Sequence, residues 1–412
     1  CLNFLFFLTV ANGLATNSVT VGRLEQDGGP LLFCAPLHAA VVETRAGDVT
    51  FADNVAAGLF TAWQGGVTLT FQSGKLLRAE RLMLYGSATQ ALRLRSSASG
   101  SPWHLQAMRC DFASYVDVQD SDASYGVPIR AVVSKDGGNN SNWQFLSGDA
   151  TRVWGGGISA DFSVAENWMP AELPDATTTV VFDGFQSTMP RITVPTTVSN
   201  LFIGGAAPVT LTVDAPLTVV DSLAVLEEGT LTHSANNDAP ATYRLRLEVV
   251  NELAVFGTID VTGKGYRAAV SGIKGYGPGG GTRGGTGGPY YGSGGGYGGS
   301  GGDCSVGDSL GVGGGCYGSI TAPLDPGSGG GYGHYNQIGH GGGVIDILAG
   351  VIRCQGDMRA NGVTTLGSSW PGAGSGGSIR LECEVLFGDG IITANAVMSP
   401  NLLAVAVVDV LP

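Results

Sequence analysis

Apolar and polar residues alternate over short runs bounded by Gly, Asn, Asp or Pro, and this period of two predicts β-strands along the chain. Val67-Thr68-Leu69-Thr70-Phe71, Tyr115-Val116-Asp117-Val118, Val209-Thr210-Leu211-Thr212-Val213 and Leu217-Thr218-Val219-Val220 are examples. The i, i+3, i+4, i+7 spacing of a buried helix face is almost absent. The pattern describes an all-β protein of short strands.

Those strands repeat. Ile345-Asp346-Ile347-Leu348-Ala349-Gly350-Val351 aligns with Ile379-Arg380-Leu381-Glu382-Cys383-Glu384-Val385, and Gly356-Asp357-Met358-Arg359-Ala360-Asn361 with Gly390-Ile391-Ile392-Thr393-Ala394-Asn395, at one offset of 34 residues without a gap. A third copy runs Leu245-Arg246-Leu247-Glu248-Val249 and Gly257-Thr258-Ile259-Asp260-Val261-Thr262-Gly263, shifted by about one residue. Ser199-Asn200-Leu201-Phe202-Ile203-Gly204-Gly205 and Asp221-Ser222-Leu223-Ala224-Val225-Leu226 read as two further rungs. A unit with one apolar face cannot bury it alone, so copies stack and each roofs the one before. The fold expected is a parallel β-helix or β-solenoid. A Gly-rich β-sandwich would also space strands by about 8 to 12 residues, but it gives no reason for a gapless repeat.

One stretch breaks the pattern. Residues 275–343 hold 32 of the 68 glycines and seven of the twelve tyrosines, and they lie between the first and second clear rungs. They form the body of an insertion over 264–343. A flexible Gly/Ser linker has no use for tyrosines. Glycine permits close backbone approach and Tyr supplies contact area with a polar tip, so a packed flap over the solenoid or a neighbouring subunit is expected.

Leu92-Arg93-Leu94-Arg95-Ser96-Ser97, Trp103-His104-Leu105, the run Ser114-Tyr115-Val116-Asp117-Val118-Gln119-Asp120-Ser121-Asp122-Ala123-Ser124 and Asn139-Asn140-Ser141-Asn142-Trp143 occur here in combination. Together they resemble large secreted β-helical surface proteins of environmental bacteria. Trp154-Gly155-Gly156, Asn167-Trp168, Leu173-Pro174-Asp175 and Val180-Val181-Phe182-Asp183 are similar to the segment that follows in those proteins. The later rungs look like autotransporter-associated repeats and Gly-rich rungs. The likeness covers about two thirds of the chain and implies a β-helical fold with a surface or adhesive role. The resulting division is an apolar amino-terminal strand over 1–22, a β-helical segment over 23–150, a Trp-containing connector over 151–190 and a solenoid over 191–412.

Charge narrows the partners. The 412 residues carry a net charge of −13 and only four lysines, so the basic footprint for nucleic acid is missing. Only 13% of residues are charged and 43% are apolar, the reverse of a disordered composition. The glycines do not recur every third residue as in collagen. The longest apolar run, Leu2 to Ala11, is too short to span a membrane; it reads as a retained apolar strand or the remnant of a signal-peptide core. Sparse Lys with abundant Gly, Ser and Thr points to an extracellular or cell-surface setting; the one glycosylation-type sequon, at Asn139, adds little to that. Seven cysteines leave at least one thiol unpaired within the chain. Cys304 and Cys316 bracket a short Gly-rich loop and are the expected disulfide.

Candidate chemistry is thin. Gly339-His340-Gly341 matches a tripeptide of pectin-degrading β-helix hydrolases, but the clustered aspartates such enzymes need are not in the sequence. Asp117, Asp120 and Asp122 read as turn carboxylates rather than a Ca²⁺ loop. The five histidines show no metal-ligand spacing with Cys. Gly279-Gly280-Gly281-Thr282-Arg283-Gly284 and Gly298-Gly299-Ser300-Gly301-Gly302 match nucleotide-loop and nucleophile-elbow patterns through glycine content alone. No catalytic residue, cofactor or metal is therefore expected. Trp103, Trp143, Trp154 and Trp168 read as packed corners, with a sugar-binding surface as the alternative.

What remains is self-association. A solenoid leaves a free strand edge at each end, and both termini are apolar without Lys guards. The candidate contact residues are Leu2, Phe4, Phe6 and Leu8, Val405 and Val407, and Tyr290, Tyr291 and Tyr297 of the insert. The expected function is a structural protein that assembles with copies of itself into a filament or surface layer. A glycan-binding adhesin is the alternative, and a polysaccharide-degrading enzyme the less favoured one.

Overall fold

The computed structural model describes residues 18–396, apart from 63–64, 87–89, 147–150, 185, 187, 205–206, 237–240, 271, 273, 286–289, 307–308, 334–338 and 365–371. It is all-β with parallel sheets, as the alternation predicts, and the chain divides into two compact units at residues 151 and 152.

In the first unit each turn contributes a long and a short strand. The turns are β1 (Val19–Asp27) with β2 (Leu31–Phe33), β3 (Leu37–Ala46) with β4 (Val49–Phe51), β5 (Val55–Ala62) with β6 (Thr68–Phe71), and β7 (Leu76–Tyr85) with β8 (Leu92–Ser96). Shorter strands complete it: β9 (Trp103–Ala107), β10 (Cys110–Ser114), β11 (Val116–Val118), β12 (Ser121–Asp122), β13 (Ile129–Val132), β14 (Lys135–Asp136) and β15 (Trp143–Leu146). Val19 lies opposite Leu37 and Leu37 opposite Val55, so the first turns take 18 residues each. The alternation puts Val42, Phe60 and Leu82 inside, wholly buried. Phe33, Phe51, Phe71 and Trp103 stack through successive turns, with centroids 5.6, 5.3 and 4.1 Å apart.

The second unit opens with β16 (Thr151–Trp154), a 3₁₀ turn at Ala165–Asn167, β17 (Trp168–Met169) and β18 (Thr179–Phe182). Its first full rungs are β19 (Arg191–Ile192), β20 (Thr196–Val198), β21 (Asn200–Ile203) and β22 (Val209–Val213), then β23 (Leu217–Val219), β24 (Ser222–Val225) and β25 (Gly229–Thr232). In the later rungs two sides merge into one bent strand: β26 (Leu245–Val255) with β27 (Thr258–Asp260). Four short strands, β28 (Arg283–Gly284), β29 (Tyr291–Gly292), β30 (Cys304–Val306) and β31 (Ser309–Gly311), belong to the insertion. The last rungs are β32 (Val344–Cys354) with β33 (Asp357–Arg359) and β34 (Ser378–Phe387) with β35 (Ile391–Thr393).

The 34-residue repeat is a rung stacked on its neighbour: Ile345 faces Ile379, Ile347 faces Leu381 and Met358 faces Ile392. The one-residue shift of the third copy is equally physical. Leu245 faces Ile345, but after an irregularity between Val249 and Glu252 the partner of Leu253 is Ile352.

The segment read as a connector over 151–190 falls, from Arg152 on, within the second unit. It forms the amino-terminal cap of the second unit, where β17 runs antiparallel to β16 at the edge of the sheet that continues through β18 and β21. Trp154 and Trp168 are buried and meet edge to face at 5.0 Å, with Phe162 and Phe182 packed around Trp168. Their indole N–H groups donate to the carbonyls of Thr188 and Phe162 at 2.8 and 2.9 Å, which lets two polar atoms enter the core.

Candidate functional site

The other end of the second unit has no such cap among the described residues. Leu201, Leu223, Leu253, Ile352 and Leu386 form one inward column across successive rungs. The first four are at most 1% exposed and Leu386 is 38% exposed. Met358 is wholly buried, and its successor Ile392 is only partly so. Val385, Phe387 and Ile391 are also exposed on this rung. Among the described residues β34 pairs only with β32 and β35 only with β33, so one edge of each is unpaired. Along the outer face of β34, Arg380 binds Asp346 of the preceding rung at 3.0 Å and also pairs with Glu382.

Beside this last rung lies the glycine insertion, which is folded. Gly327 and Gly330 donate to the carbonyls of Gly342 and Gly339 and accept from Tyr266 and Ala269. Ser328 and Gly331 accept from Ser375 and Gly372, while Gly329 donates to Tyr276 and accepts from Gly281. Residues three apart face the same neighbour, which is the period of an extended polyproline-II-type helix rather than of a strand. A bundle of such segments hydrogen-bonds in all directions, and only glycine lets the backbones close up. A Cβ at Gly330 would lie 2.0 Å from the carbonyl oxygen of Gly372, and one at Gly374 would lie 1.9 Å from that of His340.

The tyrosines pin the bundle. Ser378 Oγ donates to the Asp325 carbonyl at 2.6 Å, so the Tyr297 hydroxyl donates to Ser378 at the head of β34. Tyr297 meets Tyr317 edge to face at 4.9 Å, and burial raises both phenol pKa values above the ordinary 10.0. Tyr290 lies 5.9 Å from Tyr332 and beneath the Arg283 guanidinium at 4.3 Å. Tyr291 is partly buried in the β28–β29 pair. Three proposed contact residues thus sit in the bundle, and Tyr297 is spent within its own chain. Leu2, Phe4, Phe6, Leu8, Val405 and Val407 lie outside the described residues.

The expected disulfide is not formed. Cys304 and Cys316 are both free, because the β30–β31 hairpin turns them to different partners. The Cys304 thiol donates to the Tyr291 carbonyl at 3.2 Å and Cys316 meets Ser300 Oγ at 3.3 Å.

The remaining candidates are absorbed by the scaffold. Asp117 pairs with Arg95 at 2.9 Å. Asp120 is buried and accepts from Gly100 N and Asn139 Nδ2. Asp122 caps Ser124 and lies 3.4 Å from His104. Trp103, Trp154 and Trp168 are too deeply buried to touch a sugar, whereas Trp143 is partly exposed and donates to Ser121 Oγ at 3.0 Å. His340 is a bundle residue whose Nδ1 accepts from Ala268 N at 3.1 Å.

Sequence reasoning passed over His233. It is wholly buried, Nε2 accepts from Val344 N at 3.0 Å, and Nδ1 therefore carries the proton and donates to the Ser234 carbonyl at 2.7 Å. Burial pushes its pKa from 6.5 down to about 4. This bond ties the turn that follows β25 to the head of β32, the strand that resumes after the insertion.

Two shallow grooves accompany these features: one of about 330 Å³ over Ala39, Ala57 and Gly58, and one of about 400 Å³ between Glu252, Arg353 and Phe387. No helix among the described residues is long and apolar enough to cross a membrane. No family model matches the chain, and no curated protein or solved structure matches it either.

Proposed function

We propose that this is an extracellular structural protein that joins copies of itself end to end, in the manner of the large β-helical surface proteins it resembles. One observation carries the reading: the last rung leaves Leu386 exposed and Ile379, Leu381, Cys383 and Ile392 only partly buried, directly above the buried columns that end in Ile352, Ile345, Ile347, Ala349 and Met358, beside strand edges that are unpaired among the described residues. An apolar core cut open in this way gains about 25 cal/mol for each Å² that another chain covers. Backbone pairing along the free edge supplies the register. The apolar run Leu2 to Ala11 and residues Val405 and Val407 are the further contact segments, and the Gly/Tyr bundle braces the joint. Negative-stain electron microscopy of the purified chain tests this. Fibres or ordered multimers are expected, and deletion of residues 1–11 is expected to leave short oligomers or monomers. A wild-type chain that stays monomeric at every concentration overturns the reading.

A further inference from the structure

The outer rung carries its own complement. Along β34, Ile379, Leu381 and Cys383 point inward, continuing from Ile345, Ile347 and Ala349, while Arg380 and Glu382 point outward. The inward three are only partly buried, and the outward pair is 36% and 58% exposed. When two such strands meet antiparallel about a twofold axis at Leu381, residues whose numbers lie equally far on either side face each other. Ile379 then faces Cys383, Arg380 faces Glu382, and Leu381 faces itself.

We propose that the open end of the second unit is an isologous interface for a second copy of this chain, paired through antiparallel β34 strands centred on Leu381. This rests on the self-assembly reading above and names the partner, the register and the symmetry of one joint. Two reciprocal Arg380–Glu382 pairs flank an apolar strip of Ile379, Leu381 and Cys383, and each outward pair extends the existing Asp346–Arg380 contact across the joint. The two copies circulate in opposite senses about the stack. The second side of one rung therefore lies over the third side of the other, placing exposed Val385, Leu386 and Phe387 above exposed Ile391 and partly exposed Ile392. Leu386 and Ile392, which end the inward columns through Ile352 and Met358, thus gain apolar cover from the other copy. A twofold joint closes on itself, so a filament requires another contact elsewhere on each molecule.

Charge reversal tests the register on the full-length chain. Sedimentation velocity is expected to show that Arg380→Glu and Glu382→Arg each weaken self-association roughly tenfold or more, since each places like charges opposite one another twice. An equimolar mixture of the two variants restores it, because the carboxylate introduced at position 380 of one copy then faces the guanidinium introduced at position 382 of the other, and the native Glu382 and Arg380 of the two copies still face each other. Glu382→Arg keeps the Arg380–Asp346 contact, so loss of that variant's association is not loss of the rung. Ile379→Cys is expected to give a covalent dimer through native Cys383 under mild oxidation, and none when Cys383 is replaced by Ser. Assembly that neither reversal weakens overturns this interface and leaves end-to-end assembly standing. A mixture that stays dissociated overturns it as well. A wild-type chain that never associates, as when its own residues 397–412 cover the rung, overturns both.

Discussion

At the scale of single residues, the glycine bundle turns on space more than on backbone freedom. Gly341 does not have a positive φ, yet a Cβ there would lie 1.9 Å from the Gly327 carbonyl oxygen, which is main chain and cannot swing aside. Gly298 is in the same insertion, is exposed and has nothing within 4 Å of that position. Gly341→Ala is therefore expected to cost about 2 kcal/mol or more through overpacking, and Gly298→Ala to stay within about 0.5 kcal/mol of wild type. Urea midpoints at unchanged slope check both; equal effects would mean that the bundle is not close-packed. Nothing in the residue types separates these two glycines. Composition says that Gly is wanted somewhere, and only the three-residue hydrogen-bond period says which ones carry a neighbour against them. The same holds for Cys304 and Cys316, which are close in sequence but held on different partners by a hairpin.

At the scale of elements, the two ends of the second unit differ, and the difference is chemical. The amino-terminal end is closed by β16 and β17, whose two indoles are buried and donate to the carbonyls of Thr188 and Phe162. Trp168→Ala removes a fully packed side chain from that cap and is expected to cost about 3–5 kcal/mol, read as a lowered urea midpoint for the second unit; a change under about 1 kcal/mol would show that the cap is dispensable. The solenoid itself is legible in the sequence, because rungs of equal length stack with a constant offset, as between Ile345 and Ile379. The 18-residue spacing of Val19, Leu37 and Val55 is the same signal. The cap is not legible, since a segment used once repeats nothing and its Trp, Pro and Asn content reads as a joint between domains. The open end is half legible: the last copy of a repeat must be the outermost rung, but whether anything lies over β34 is a fact of three dimensions.

At the scale of the whole molecule, the described residues hold two hydrophobic cores with no residue in common, one built around Phe51, Phe60 and Trp103 and the other around the columns from Val180 to Met358. Each core draws on its own unit alone, so two unfolding transitions are expected. His233 tells them apart, because it belongs to the second unit. Its folded form takes up a proton only near pH 4, against 6.5 for the ordinary imidazole. Between those values the unfolded chain binds the extra proton, so stability present above pH 6.5 is lost as the pH falls towards 4. The cause is burial, which disfavours the charged imidazolium and outweighs the bond to the Ser234 carbonyl and the attraction of Asp214, with a smaller repulsion from Lys264 on the same side as burial; a protonated Nε2 would also point its N–H at that of Val344. On the order of 3 kcal/mol is at stake. Acidifying from pH 6.5 to 4 is therefore expected to lower the second unit's transition in calorimetry by more than the first's. His233→Gln is expected to start from a lower plateau and to lose part of that extra acid sensitivity, the rest remaining with His340, whose pKa burial also lowers. If both transitions fall together, or if the variant keeps the full slope, the bond between His233 and Val344 is not what fastens the strand after the insertion to the turn that follows β25.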